Sequence, residues 1–78
     1  MRGQLIADEW RLDAFVAELG RYRSGLLRCD PLVGGLRVSG VFPLDDTDRI
    51  LAMLPSVLPV RVSRRSRYWV TVQAAGQG

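Results

Sequence analysis

Seventy-eight residues, 47% apolar and 24% charged, describe one small globular domain, and a chain this short hides only about 60–65% of its unfolded surface, too little for an enzyme of ordinary size. The formal charge is +3, all eleven basic residues are Arg, and there is one Cys and no His. That inventory excludes an internal disulfide, a zinc site and a His-activated hydrolase triad, and no run reaches the roughly 18 apolar residues of a membrane span.

Residues 3–7, GQLIA, read as a first strand. Asp8 offers a helix N-cap, Glu9 places an acid in the first turn, and Leu12, Phe15, Val16, Leu19 and Tyr22 recur at helical spacing, which predicts a helix over about 10–22 closed by Ser24-Gly25. LLRC at 26–29 is a second strand; it carries Cys29, read as a small buried hydrophobe. DPLVGG at 30–35 is a turn. The third strand, 36–42, alternates Leu36, Val38 and Phe42 with Arg37 and Ser39, but Gly40 interrupts its apolar side. Glycine inside a strand marks a bulge or a close approach. The expectation is that a helix lies against it, so that Gly40→Val would overpack the domain by about 1–3 kcal/mol.

Asp45 or Asp46 caps a second helix carrying Ile50, Leu51, Leu54 and further Val57 and Leu58, which should stop or kink near Pro55. The cluster Asp45, Asp46, Asp48 lacks the spaced oxygens and distal acid of a calcium loop, so no metal is expected. VGGLRVSG at 33–40 runs into a strand, not a helix N-terminus, so no phosphate loop is expected either. Residues 58–63 and 67–73 form the last strands. With 64–66 as their loop, Val62 would face Tyr68, Arg61 would face Trp69 and Val60 would face Val70. Val60, Val62, Val70 and Val72 then share the core side, with Arg61, Trp69 and Thr71 outward.

The fold class that follows is α+β: two small βαβ units plus a terminal hairpin strand, with two helices packed against small sheets, each helix crossing between neighbouring parallel strands. The domain covers residues 1–73 and 74–78 form a flexible tail. Charge divides unevenly: residues 1–48 hold six Arg against eight acids, while 49–78 hold five Arg and no acid. The basic end suits an acidic partner. No catalytic group, cofactor or nucleic-acid motif is expected.

The run from LDAFVAELGRYRSG through Asp30-Pro31 into GLRVSGVFPLDDTDRILAMLPSVLPVRV resembles the C-terminal periplasmic domain of FecR-like anti-sigma factor regulators. That domain is akin to the short N-terminal domain of secretins and of TonB-dependent transducers. The pieces are the helix ending in Arg21-Tyr22, Asp30-Pro31, Leu36 to Phe42, the acidic cap and Leu58-Pro59-Val60, over about residues 3–72. The family often has Asn where Gly20 stands and Pro near Trp10. The resemblance implies a periplasmic module of an inner-membrane protein whose span and cytoplasmic region lie outside this chain.

In that family the domain meets the signalling domain of a TonB-dependent outer-membrane receptor loaded with an iron–siderophore complex. The sigma factor is reached only through the cytoplasmic region. A monomer docking through Arg61, Arg67, Trp69 and Thr71 is the expectation, with Gly40, Arg21 and Tyr22 as structural positions. A secretin-like assembly module is the alternative, and a nucleic-acid binder a lesser one.

Overall fold

The computed structural model describes residues 3–66 and 68–75. In chain order the elements are β1 (Gln4–Arg11), α1 (Leu12–Gly20), β2 (Leu26–Cys29), β3 (Arg37–Pro43), α2 (Thr47–Val57), β4 (Val60–Ser66) and β5 (Trp69–Ala74). The α+β class holds: two strand–helix–strand stretches are followed by a hairpin strand. The pairing is different from the expected crossovers. β1 pairs antiparallel with β3 in a two-stranded sheet, and β2-β5-β4 form a second sheet in which β2 runs parallel and β4 antiparallel to β5. The strands flanking each helix therefore lie in different sheets. α1 packs against β1, β2 and β3, and α2 against β3 and β4, so both helices touch both sheets. Each short helix, 9 or 11 residues long, is covered from two sheets.

One core joins these elements. Leu12, Phe15, Val16 and Leu19 of α1 and Ile50, Leu51 and Leu54 of α2 meet Leu5, Ala7, Val38 and Phe42 of one sheet and Val60, Val70 and Val72 of the other. Phe15 and Phe42 stack edge to face with centroids 4.9 Å apart. Three residues expected inward are not: Tyr22 and Val57 are exposed and Cys29 is half-buried, enough for desolvation to push its thiol pKa up.

The helix cap falls three residues later than expected, at Arg11 in place of Asp8, and α1 begins at Leu12. Asp8 and Glu9 together stand opposite Ser39, forming a bulge between the Ala7↔Gly40 and Trp10↔Val38 pairs. Glu9 sits at φ +56° and donates its N–H to Ser39 Oγ at 2.9 Å, while its carbonyl accepts from Arg37 at 3.2 Å. That bulge absorbs the would-be cap and carries β1 on to Arg11. The first helical N–H groups are met instead by backbone: Leu12 donates to Leu36 O at 2.7 Å and Asp13 to Gly34 O at 3.2 Å. At α2 the expected cap is present, with Asp46 accepting from Arg49 N at 3.1 Å. α2 runs on through Pro55, because in the last turn a proline forfeits one hydrogen bond only, and Leu58 N closes the turn on Leu54 O.

No helix presses on Gly40. Its φ is +146°, and a Cβ there would stand 3.2 Å from Cζ and 3.3 Å from Cε2 of Phe42, the next residue on the same side of β3. The glycine leaves room for that ring to fold under its own strand. A tighter approach occurs at Gly25, which the sequence marked only as a helix stop. Its φ is +91°, and a Cβ would lie 2.5 Å from the carbonyl oxygen of Tyr68, where β2 begins to pair with β5.

Candidate partner-binding face

β4 begins two residues later than expected and runs three further, to Ser66, while β5 spans Trp69–Ala74 against the expected 67–73. The register pairs Val60 with Ala74, Arg61 with Gln73, Val62 with Val72, Ser63 with Thr71 and Arg64 with Val70, then shifts so that Ser66 meets Trp69. Residues 64–66 belong to β4 and are not a loop. Arg67 lies outside the described residues, as do 76–78 of the expected tail; Ala74 is still within β5. The offset from the expected pairing is an even number of positions, so each side chain keeps its face even though its partner changes.

Val60, Val70 and Val72 are buried, and Val62 packs partly against them. The opposite side carries Arg61, Ser63, Trp69, Thr71 and Gln73. The parallel pairs Leu26↔Trp69 and Arg28↔Thr71 add two residues of β2 to it. Arg61, Trp69 and Thr71 thus share one outward face, but Arg61 and Trp69 are not neighbours. Four residues of β5 separate their positions, about 13 Å along the strand. Arg65, at the register shift, takes the place beside the indole, its guanidinium 6.0 Å from the ring centroid.

The face has a simple electrostatic character. Arg65 stands beside Trp69, Arg28 lies next to Thr71 and Arg61 next to Gln73 at the far end of the face, and none of β2, β4 or β5 contains an acidic residue. No ion pair engages these three arginines among the described residues. Trp69 is 45% exposed and Leu26 44%, so apolar area lies between the charges. An exposed indole beside Arg65, with Arg28 and Arg61 further along the same face, fits a partner surface rich in carboxylates, with the aromatic as anchor and the arginines as forked donors. Other arginines serve the fold: Arg64, on the hairpin's other side, and Arg23, between α1 and β2, reach Asp48 Oδ1 at 3.5 and 2.7 Å.

Arg28, Leu26 and Arg65 were missed by the sequence reading. The alternation in LLRC put Leu26 and Arg28 on one side of β2, but nothing local says that β2 lies beside β5. Arg21 and Tyr22 close α1 through their backbone N–H groups, to Glu18 O and Leu19 O; the Arg21 side chain reaches Glu18 at 3.6 Å and the Tyr22 ring is exposed. Asp45, Asp46 and Asp48 do not converge on a site, since Asp46 caps α2 and Asp48 pairs with Arg23. Among the described residues no cluster of three or more potential metal ligands occurs.

No family model matches the chain, and no curated protein matches it by sequence. By structure it is similar to a protein from Parabacteroides distasonis provisionally described as an anti-sigma factor, with a TM-score of 0.77 at 16% identity. The match covers 95% of this chain and 35% of that one, so this domain corresponds to about a third of its length. At this identity the likeness is one of fold.

Proposed function

We propose that this chain is the periplasmic receiver module of a FecR-like transmembrane anti-sigma regulator. It binds the signalling domain of a TonB-dependent outer-membrane transducer through the outward face of β2, β5 and β4. Binding reports iron–siderophore arrival and leads to release of an extracytoplasmic-function sigma factor, which only the regulator's cytoplasmic region touches. The observation that carries the reading is the face itself: Trp69 beside Arg65, with Arg28 and Arg61 on the same side and no carboxylate in the three strands. The shared fold with a protein described as an anti-sigma factor supports the class of regulator. The order of motifs in the sequence supports the FecR-like family within it.

Calorimetry with the signalling domain of the TonB-dependent receptor encoded nearest this gene tests the proposal. The expected result is one-to-one binding that weakens with salt and falls at least about tenfold in Trp69→Ala and in Arg61→Glu. Arg61 is exposed, so Arg61→Glu should melt like the parent; Trp69 is 45% exposed, and a thermal melt of Trp69→Ala separates lost binding from lost stability. Binding unaltered by either change removes the face from the proposal. A chain that forms rings or large oligomers by itself in size-exclusion chromatography favours the secretin-like assembly module instead.

A further inference from the structure

β3 has β1 on one side and no strand on the other. Beyond the β1 ladder, residues 38–42 make no backbone hydrogen bond among the described residues, so alternate N–H and C=O groups along that edge are unpaired. Along it runs a groove of about 290 Å³ lined by Arg37 to Phe42 in unbroken succession and, across from them, by Met53, Val57 and Leu58. One face of a strand would contribute alternate residues only. Six in a row mean that the groove follows the strand's edge. Natural edges are usually guarded by charge, proline or a bulge. Here a charge and a proline stand only at the two ends of β3, Arg37 and Pro43; Val38-Ser39-Gly40-Val41-Phe42 between them carries neither, and the bulge is in β1.

We infer that this edge is a second docking site, separate from the face of the other sheet, and that it takes an extended segment of a partner protein as an added strand. The walls define that segment. On the side facing α2 a guest meets Val38, the bare backbone of Gly40, Phe42 and the exposed Met53 and Val57, which calls for apolar side chains at alternate positions. On the outer side it meets Arg37, Ser39 and Val41, with Ile6 beyond Val41 across the ladder; Ile6 is 67% and Val41 57% exposed. A carboxylate beside Arg37, a hydroxyl beside Ser39 and an apolar residue beside Val41 complete the match. Arg37 is the one charged residue in the lining and meets no carboxylate among the described residues. Its guanidinium donates to the Glu9 carbonyl, with further N–H donors left for an acid. Main-chain bonds supply affinity and these pockets the register.

The test is an NMR titration of the isotope-labelled domain with two synthetic peptides, Asp-Val-Thr-Val-Val-Val and its reverse, each extended by Gly-Ser for solubility. One suits a parallel and the other an antiparallel guest. One of them is expected to shift the amides of 37–42 and the Met53 methyl and to slow exchange at alternate β3 amides. Val57→Asp, at a position 63% exposed, should weaken that binding at least about tenfold. Arg37→Glu should do the same and be rescued by a peptide with Lys in place of Asp. Trp69→Ala and Arg61→Glu should leave it unchanged, which separates this site from the proposed transducer face. Absence of shifts at millimolar peptide, shifts confined to β4 and β5, or insensitivity to Val57→Asp overturns the inference. So does self-association of the domain that Val57→Asp abolishes, because the occupant is then a second copy.

Discussion

Replacing Gly40 by alanine adds one methyl group against the Phe42 ring, at the wall of the groove along β3. The new Cβ would sit 3.2–3.3 Å from the Phe42 ring, and that ring leans on Phe15 with centroids 4.9 Å apart. Phe15 is fully buried, so Phe42 cannot withdraw into the core without displacing it. Overpacking of this kind costs about 1–3 kcal/mol. The φ of +146° adds strain for any residue with a Cβ, on the order of 1 kcal/mol. Together the loss is about 2–4 kcal/mol, a large share of the roughly 4–12 kcal/mol available to a domain of this size, and enough to lower Tm by more than about 10 °C. Urea and thermal unfolding of Gly40→Ala, Phe42→Leu and the double variant measure it. If the ring is the obstacle, alanine costs about 1 kcal/mol less beside Leu than beside Phe. A Gly40→Ala loss below about 0.5 kcal/mol refutes the packing argument, and strict additivity in the cycle assigns the whole effect to the backbone.

Two further outcomes follow from local geometry. Glu9 holds φ +56° in the β1 bulge, so Glu9→Gly should relieve more strain than the added unfolded-state freedom takes away. The expected gain is about 0.5 kcal/mol, against a loss of about 1–2 kcal/mol for the β-branched Glu9→Val; the reverse order of urea midpoints would exclude a strained bulge. The hydrogen bond from Arg23 holds the Asp48 carboxyl below its ordinary range. Its stabilisation is therefore complete above the unfolded carboxyl pKa of about 4 and drains away as pH falls through the lower folded value. Asp48 is 69% exposed, so the effect is under about 1 kcal/mol, and Asp48→Asn should lower stability at pH 7 while flattening its decline below about pH 4. An unaltered acid limb would show that the pair contributes nothing.

The proposed docking face was readable to the extent that it depends on alternation within a strand. Val60 and Val62 had to lie opposite Arg61 within β4, and Val70 and Val72 opposite Trp69 and Thr71 within β5; joint burial of the four valines then fixes the register to an even offset. The identity of the neighbours was not readable, because nothing in RVSRRSRYW distinguishes a loop at 64–66 from a strand that runs on to Ser66. The four-position shift of the β4–β5 register set Trp69 beside Arg65 and moved Arg61 to the far end. β2 supplied Arg28 and Leu26 by pairing with a strand some forty positions later, and no local propensity encodes that meeting.

Local chemistry within the chain thus determined the element types, the Asp46 cap, the apolar stripes of both helices and the in–out sense of each strand, since these arise from residues a few positions apart. Tertiary structure alone decided which strands pair, how far β1 extends, and what lies near each glycine. Gly40 shows the division. Its composition announced a close approach, but only the packing of Phe42 against Phe15 says that a ring of its own strand, and not a helix, fills the space. Long-range pairing is selected by the joint burial of one core, and no segment carries that information by itself.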